Sequence, residues 1–291
     1  MLNPKLTLSE HSATTLLKVA TALCLLVFLT FAAISAERPE SAGASSSKRV
    51  TLGKTSVKLE PNCGKDQADR SCAAEGRVTG YQVLAKGSDQ KRSFNVPFKG
   101  KLVSWSISLA RPTRQAVPSL NIDQGQVPFF NDLFGSPSQA RIAVLRQVEK
   151  RKKGPPRYKM VRQSPTEILN PYFGTTVTFA LAKPLNVIPD QVIGLTIPTW
   201  APAFWSPRAC DPDDFLEGEV VDEVACNRAK EKYTWRGSRG PEKCILDGTT
   251  KKEIRANVEG SHSQQKVNSV KRYGCYYAGN RLLYTATIVG K

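Results

Sequence analysis

From Arg49 to Val289 the chain is a series of short stretches with strand character, separated by Gly, Pro and Asn, without a long amphipathic helix. Several stretches alternate apolar and polar residues, the period of two that is typical of a half-buried strand. In KLVSWSISL, this alternation predicts one face with Leu102 and three serines and another face with Trp105 and Ile107. The pattern predicts an all-β fold, an antiparallel β-sandwich of jelly-roll type with long loops and disulfides.

The sequence also contains a few signals for helices, long connections and turns. The stretches PFFNDLFG and VVDEVACNRAKEK are short helical candidates. The connection from Ala110 to Ala140 has four prolines and no clear strand, so it is either functional or folded over the sheet. A second long connection runs from Pro198 to about Lys230. The pair Gly279-Asn280 predicts the turn of a hairpin made by YGCYYA and RLLYTATIV.

The amino-terminal segment has the features of an export signal. Lys5 and Lys18 precede an uncharged run, Val19 to Ala36, that ends in small residues. Cleavage is expected after Ala36 or Ala44; the alternative is an uncleaved membrane anchor, because about 18 apolar residues are close to the minimum for a span. In both cases the rest of the chain is expected to be extracytoplasmic, secreted or membrane-tethered. The expected regions are a signal or anchor at 1–36, a flexible linker at 37–48 and a β-sandwich domain at 49–291.

Export changes what the cysteines indicate. Six of the seven cysteines follow the apolar segment, and an even number in an oxidising compartment predicts disulfides without fixing their pairing. The spacing does not suit zinc, since there is neither a CxxC motif nor a second histidine in the exported part. No cofactor is expected. The disulfide candidates are Cys63, Cys72, Cys210, Cys226, Cys244 and Cys275.

A basic segment joins two predicted strands. The sequence RQVEKRKKGPPRYKMVR has eight cations and a single acid, Glu149, and predicts a hairpin with a strongly positive tip. Such a tip would attract an anionic polymer or lipid through a salt-sensitive interaction without sequence preference. The alternative is a solvated loop whose lysines prevent edge pairing. The polyanion-binding candidates are Arg146, Lys150, Arg151, Lys152, Lys153, Arg157, Lys159 and Arg162.

An acidic segment lies between two of the cysteines. DPDDFLEGEVVDEVA has seven acids and no base. Its first three acids, Asp211, Asp213 and Asp214, are close enough in sequence to share a calcium ion, although the spacing is not that of an EF-hand. The alternative is a plain acidic loop that faces the basic hairpin.

Two tryptophans, Trp200 and Trp205, lie in a proline-rich stretch, GLTIPTWAPAFWSPRAC. Prolines are expected to remove this stretch from the sheet and to stiffen it. The rings are then either a platform that stacks on sugar rings or a plug at the end of the sandwich. The ligand-binding candidates are Trp200, Trp205, Arg208, Trp235, Arg236 and Arg239.

The passage FGTTVTFALAKPLNVIPDQVIGLTIPTWAP, together with the later WRGSR and RLLYTA, resembles a passage of uncharacterised secreted bacterial β-sandwich proteins. This resemblance implies an exported β fold. It implies no activity, because those proteins have none assigned.

Catalysis is poorly supported by the sequence. His262 is the single histidine of the exported part, and no Gly-x-Ser-x-Gly motif is present. The favoured hypothesis is a non-catalytic binding module of the cell envelope, with polysaccharide or an anionic polymer as its ligand. Membrane contact is expected if the segment at 1–36 stays uncleaved. No specific nucleic acid partner is expected. The alternatives are a structural or adhesion protein with a protein partner and, third, a carbohydrate-active hydrolase with two carboxylates.

Overall fold

A computed structural model describes residues 48–61, 74–85, 94–114, 125–149, 154–206, 227, 232–240, 244, 255–256 and 258–290. All of them belong to one compact unit, Ser47–Lys291. The predicted signal or anchor and the linker up to residue 47 lie outside the described residues.

The described residues are mostly strand, which confirms the all-β prediction. The candidate PFFNDLFG forms helix α1 (Gln126–Phe134), and a short 3-10 helix covers Asn170–Tyr172. The second helical candidate lies almost wholly outside the described residues. The strands are β1 (Arg49–Leu52), β2 (Glu75–Ala85), β3 (Gly100–Ser108), β4 (Gln139–Glu149), β5 (Arg157–Gln163), β6 (Glu167–Ile168), β7 (Thr176–Val187), β8 (Gln191–Ala201), β9 (Phe204–Trp205), β10 (Tyr233–Gly237), β11 (Val270–Arg272), β12 (Cys275–Ala278), β13 (Arg281–Leu282) and β14 (Tyr284–Gly290).

The strands form two antiparallel sheets that share a core. The small sheet has the order β1-β14-β3-β7, and the large sheet has the order β11-β5-β4-β8-β2-β10-β12, with β6 paired to β4. A short ladder joins β9 to β13. Trp105 and Ile288 of the small sheet and Val144 and Leu195 of the large sheet belong to one buried cluster, which makes the fold sandwich-like. The jelly-roll form of the prediction stays a prediction.

The large sheet is curled into a half-barrel. Strand β11 pairs with β5 at one edge, and β12 pairs with β10 at the opposite edge. Only Tyr273 and Gly274 separate these two strands in sequence. Consecutive Cα atoms are about 3.8 Å apart, so Arg272 and Cys275 lie within about 11 Å of each other. The two edges of the sheet therefore approach one another.

Polar aromatic side chains fill the curl. The Tyr81 and Tyr158 hydroxyls are 3.0 Å apart, and the Tyr273 hydroxyl donates to Gln264 Oε1 at 2.8 Å. The Gln264 backbone N–H donates to Thr79 Oγ1 at 2.9 Å, which holds the incoming chain against β2. Burial raises the pKa of Tyr273 well above its usual value, so this phenol stays neutral and serves as a hydrogen-bond donor.

Strand β3 shows the predicted alternation with one correction. Trp105 and Ile107 are buried, and Ser106 and Ser108 lie on the outer face, where their hydroxyls contact those of β7. Leu102 was predicted to share the serine face but is fully buried. A register shift between Leu102 and Ser104 is the reason, because it inserts an extra residue and returns Leu102 to the core side.

Strand β8 corrects a second expectation. The chain was expected to leave the sheet at Pro198, but β8 continues to Ala201. Ile197 pairs with Val78 and Trp200 pairs with Gly76, so β8 has one more residue than β2 over this interval. A bulge is the position where a strand tolerates proline, since the missing N–H is not required by the ladder there.

The predicted carboxyl-terminal hairpin is wrong. Gly279 has a positive φ of 85°, as a tight turn requires, but the flanking strands do not pair with each other. Instead β12 pairs with β10, β13 pairs with β9, and β14 enters the small sheet between β1 and β3. The turn therefore moves the chain from one sheet to the other.

A disulfide and a buried ion pair lie at the β10–β12 side of the large sheet. Cys244 is bonded to Cys275. Nearby, the Arg239 guanidinium donates to Glu75 Oε2 at 3.1 Å and to the Tyr277 hydroxyl at 2.9 Å. This disulfide belongs to the predicted set; the remaining candidates Cys63, Cys72, Cys210 and Cys226 lie outside the described residues.

Replacing Arg239 tests the ion pair. Arg239→Met leaves the Glu75 carboxylate buried without a partner and is expected to lower the free energy of unfolding by about 3–5 kcal/mol at neutral pH. Burial raises the pKa of Glu75 above its usual 4.5, and the variant lacks the cation that limits this rise. A carboxyl whose pKa is higher in the folded state than in the unfolded state destabilises the fold at pH values above its unfolded-state pKa. At pH values below that pKa, the destabilisation disappears. The loss, measured by urea unfolding, should therefore shrink toward about pH 4.

The matched control is the double variant Arg239→Met/Glu75→Gln, which removes the charge as well as its partner. It should recover part of the stability at neutral pH and show little of the pH dependence. If Arg239→Met lost the same free energy of unfolding at neutral pH and at about pH 4, the role assigned to Glu75 would be contradicted.

Candidate functional site

Trp200 lies in the core and not on the surface. Its side chain is fully buried between β8 and α1, 5.0 Å from Phe130 and 5.5 Å from Phe173 between ring centroids. The indole Nε1 donates to Asn131 Oδ1 at 2.9 Å, so the polar atom is also satisfied internally. This is the geometry of the plug alternative, and the ring offers no face to a ligand in this structure.

Trp235 is also fully buried. Its ring stacks on Tyr277 with the centroids 4.2 Å apart and an interplanar angle of 17°. Gly80 of β2 makes room for it, since a Cβ at that position would lie 2.7 Å from the indole ring. Trp235 and the ion-paired Arg239 are therefore part of the buried interior. Ligand binding by these two residues stays a prediction, and it would require their side chains to move out to the surface.

The remaining candidates of this group are more accessible. Trp205 is half-buried, with its ring edge-to-face against Tyr233 at 5.2 Å. Arg236 is half-buried and its guanidinium lies over the ring of Tyr276, 4.7 Å from the centroid. Arg208 lies outside the described residues.

Sequence reasoning missed Tyr276. This tyrosine is 54% exposed on the edge strand β12, where it is the cross-strand neighbour of Arg236. Arg236 is held in turn by donating to the Tyr273 carbonyl at 3.3 Å. One face of the Tyr276 ring is thus supported by a cation. The sequence signal was the Tyr-Tyr pair in CYYA, whose alternation puts one ring inward and the other outward.

The described part of the predicted basic hairpin is present, because β4 and β5 pair along their length. Lys150, Arg151, Lys152 and Lys153 lie outside the described residues, whereas the four cations in the strands are described. Arg146 and Arg162 are exposed, and Arg157 and Lys159 are half-buried. Arg157 and Lys159 alternate along β5 with Tyr158, so they lie on the face opposite to the tyrosine cluster.

Cross-strand pairing brings these cations together. Arg146 lies directly opposite Lys159, and on the other side of β5 Arg157 lies directly opposite Arg272 of β11. After a register shift in this ladder, Arg162 lies opposite Val144, two residues before Arg146 in β4, and so shares the same face. We call this surface the basic face, which consists of Arg146, Arg157, Lys159, Arg162 and Arg272.

One cation of the basic face has an acid as cross-strand neighbour, since Arg157 lies opposite Glu149 of β4. None of the ion pairs between described residues includes Arg146, Lys159, Arg162 or Arg272. Like charges directly opposite each other in a ladder destabilise the sheet. The cross-strand pair Arg146 and Lys159 therefore has no stabilising role in the fold. Sequence reasoning missed Arg272, since more than a hundred residues separate it from β5 and no pattern predicts that pairing.

Metal and membrane features are described only for part of the chain. Within the residues that the structure describes, no group of His, Cys, Asp and Glu could hold a metal ion. The calcium candidates Asp211, Asp213 and Asp214 lie outside those residues. His262 is exposed, and its carbonyl accepts a hydrogen bond from Lys271. In the same part of the chain, no helix is long and apolar enough to span a membrane.

Comparisons of the chain with protein-family models, with curated proteins and with solved structures find no match. The resemblance to secreted bacterial β-sandwich proteins therefore stays an expectation.

Trp200→Ala separates a structural from a ligand-binding role. Because the indole is fully buried, truncation is expected to lower the free energy of unfolding by about 3–5 kcal/mol. Chemical denaturation measures this loss. Trp205→Ala is the control, with a smaller expected loss because its ring is half-buried. Unchanged stability in Trp200→Ala, with a loss of polysaccharide binding, would support the platform hypothesis instead.

Proposed function

We propose that the chain is a non-catalytic, extracytoplasmic binding module that holds an anionic polymer of the cell envelope on the basic face. The observation that supports this most directly is the cross-strand like-charge pair Arg146 and Lys159, with Arg272 on the neighbouring strand β11. Like charges placed side by side on rigid strands are stabilised when an anion binds between them. A polymer with repeated negative charges does this at several positions at once.

The physical basis is electrostatic. The chain has a formal net charge of +17, so long-range attraction already favours polyanions. When fixed cations of the protein neutralise negative charges of the polymer, the polymer releases its counterions, so the affinity falls steeply as salt rises. The Cys244–Cys275 disulfide supports an extracytoplasmic location, because such bonds are typical of oxidising compartments.

Charge removal on the basic face tests the proposal. In Arg146→Gln/Lys159→Gln, affinity for inorganic polyphosphate should fall by roughly fivefold to tenfold per cation at about 0.1 M salt. The slope of log K against log salt should become less steep by about one per cation removed. Fluorescence anisotropy of labelled polyphosphate over a range of salt concentrations measures both quantities.

The matched control removes the same charge elsewhere. Lys101 and Lys183 are exposed cations of the small sheet, and Lys101→Gln/Lys183→Gln should weaken binding far less. Equal weakening by the two double variants would mean that net charge alone attracts the polymer, which contradicts the proposed site. Absence of binding by the unmodified protein at low salt would favour the alternative of a protein partner.

A second candidate function is binding of a neutral sugar, and the exposure of Tyr276 favours it. A tyrosine ring supported on one face by Arg236 has its other face available to the apolar side of a sugar ring. Such binding would persist at high salt, which separates it from binding at the basic face.

Tyr276 variants test this candidate. Tyr276→Ala should abolish salt-resistant binding of a neutral envelope glycan, whereas Tyr276→Phe keeps the ring face and should retain most of it. Isothermal titration calorimetry at high salt measures the affinities. Equal affinities for Tyr276→Ala and the unmodified protein would contradict stacking at this ring.

A further inference from the structure

Strand β7 leaves one side of its backbone unpaired. It is the last strand of the small sheet and has twelve residues, Thr176–Val187. Among the described strands, only β3 pairs with it. Successive residues of an antiparallel strand direct their N–H and C=O groups to alternate sides, so half of these groups in β7 point away from β3. An edge of this kind is a template for another strand.

The first half of β7 lacks the features that usually prevent edge pairing. Thr176 to Ala180 pairs regularly with β3 and contains neither a charge nor a proline. The features that block pairing, Lys183 and Pro184, come later, after the register shift that follows Ala180. On the side away from β3, these five residues have no partner among the described strands.

The side chains of this segment differ between its two faces. Thr176, Thr178 and Ala180 lie on the outer face and are exposed. Val177 and Phe179 lie on the inner face and are half-buried, with the Phe179 ring 4.8 Å from that of Trp105. A partner strand that continues the sheet must add apolar side chains beside Val177 and Phe179 and small ones beside the threonines.

We propose that a second copy of this chain supplies that strand, with β7 paired antiparallel to β7 about a two-fold axis at Thr178. In this register each Thr178 lies opposite the Thr178 of the second copy, Thr176 lies opposite Ala180, and Val177 lies opposite Phe179. Cross-strand neighbours share a face, so the half-buried apolar residues meet each other and the threonines continue the outer face.

Charge opposes a second copy less at this edge than on most of the surface. The chain has a net charge of +17, so two copies repel over most surfaces, but Thr176 to Ala180 brings no charge to the contact. The two-fold axis also sends the Lys183 side chains to opposite ends of the paired strands, roughly 30 Å apart for extended chains. The basic face lies on the other sheet.

The dimer has a consequence for polymer binding that rests on the proposed function. Two copies joined through their small sheets present two basic faces. If both engage the same polymer, the second contact is intramolecular and the overall affinity exceeds that of one copy. The pairing itself does not depend on this function.

Cysteine cross-linking of the full chain tests the pairing. Directly opposed Cα atoms of antiparallel strands are about 4.5–5.5 Å apart, a separation that a disulfide bridges. Thr178→Cys should therefore give a covalent dimer under mild oxidation, seen on a non-reducing gel. The control is Thr285→Cys, on the same outer face but in β14, which β3 separates from β7. It should give no more dimer than the unmodified chain.

A second variant tests the same contact without cross-linking. Thr178→Lys places two like charges opposite each other at the axis and should abolish the dimer in sedimentation velocity, whereas Thr285→Lys should retain it. The proposal is overturned if the unmodified chain sediments as a monomer at all concentrations and Thr178→Cys cross-links no more than the control. That result would leave the edge to an extended segment of another protein.

Discussion

The link from β11 to β12 is the constraint on which the rest of the architecture depends. Tyr273 and Gly274 bring opposite edges of the large sheet together, and the sheet must curl to allow it. A curled sheet has an inside that must be filled and an outside that is only partly covered. The first requirement explains the buried tyrosines and Gln264, and the second leaves the outer side of β5 to the cations of the basic face.

The sequence predicts much of the local structure because alternation and burial are local properties. In β3, the small polar residues and the large apolar residues lie on opposite faces, as the period of two indicates. The exceptions come from extra residues in one strand. The bulge that buries Leu102 and the bulge that keeps Pro198 in β8 depend on the partner strand, so they are invisible in a single stretch of sequence. The turn at Gly279 shows the same limit, because a turn signal specifies a bend without specifying the partners of its flanking strands.

The candidate site was predictable only in part. The cations of one hairpin are adjacent in sequence, and β4–β5 pairing brings Arg146 beside Lys159. Arg272 joins them through a pairing between distant segments, which no local pattern encodes. The tryptophans illustrate a different limit: composition indicates that aromatic residues matter but not whether they face a ligand or the core. For Trp200, the deciding feature is Asn131, which lies in a separate helix and accepts its indole N–H.

The position of β1 has a mechanical consequence. Arg49 lies opposite Val289, and the Gly290 N–H donates to the Lys48 carbonyl at 2.6 Å, so both ends of the described chain leave the small sheet at the same end of one ladder. A tensile force applied between Lys48 and Gly290 acts across the β1–β14 hydrogen bonds, not along the strands. The bonds are then loaded one after another, as in a zipper, and β1 is expected to peel away under small forces while the other strands stay paired.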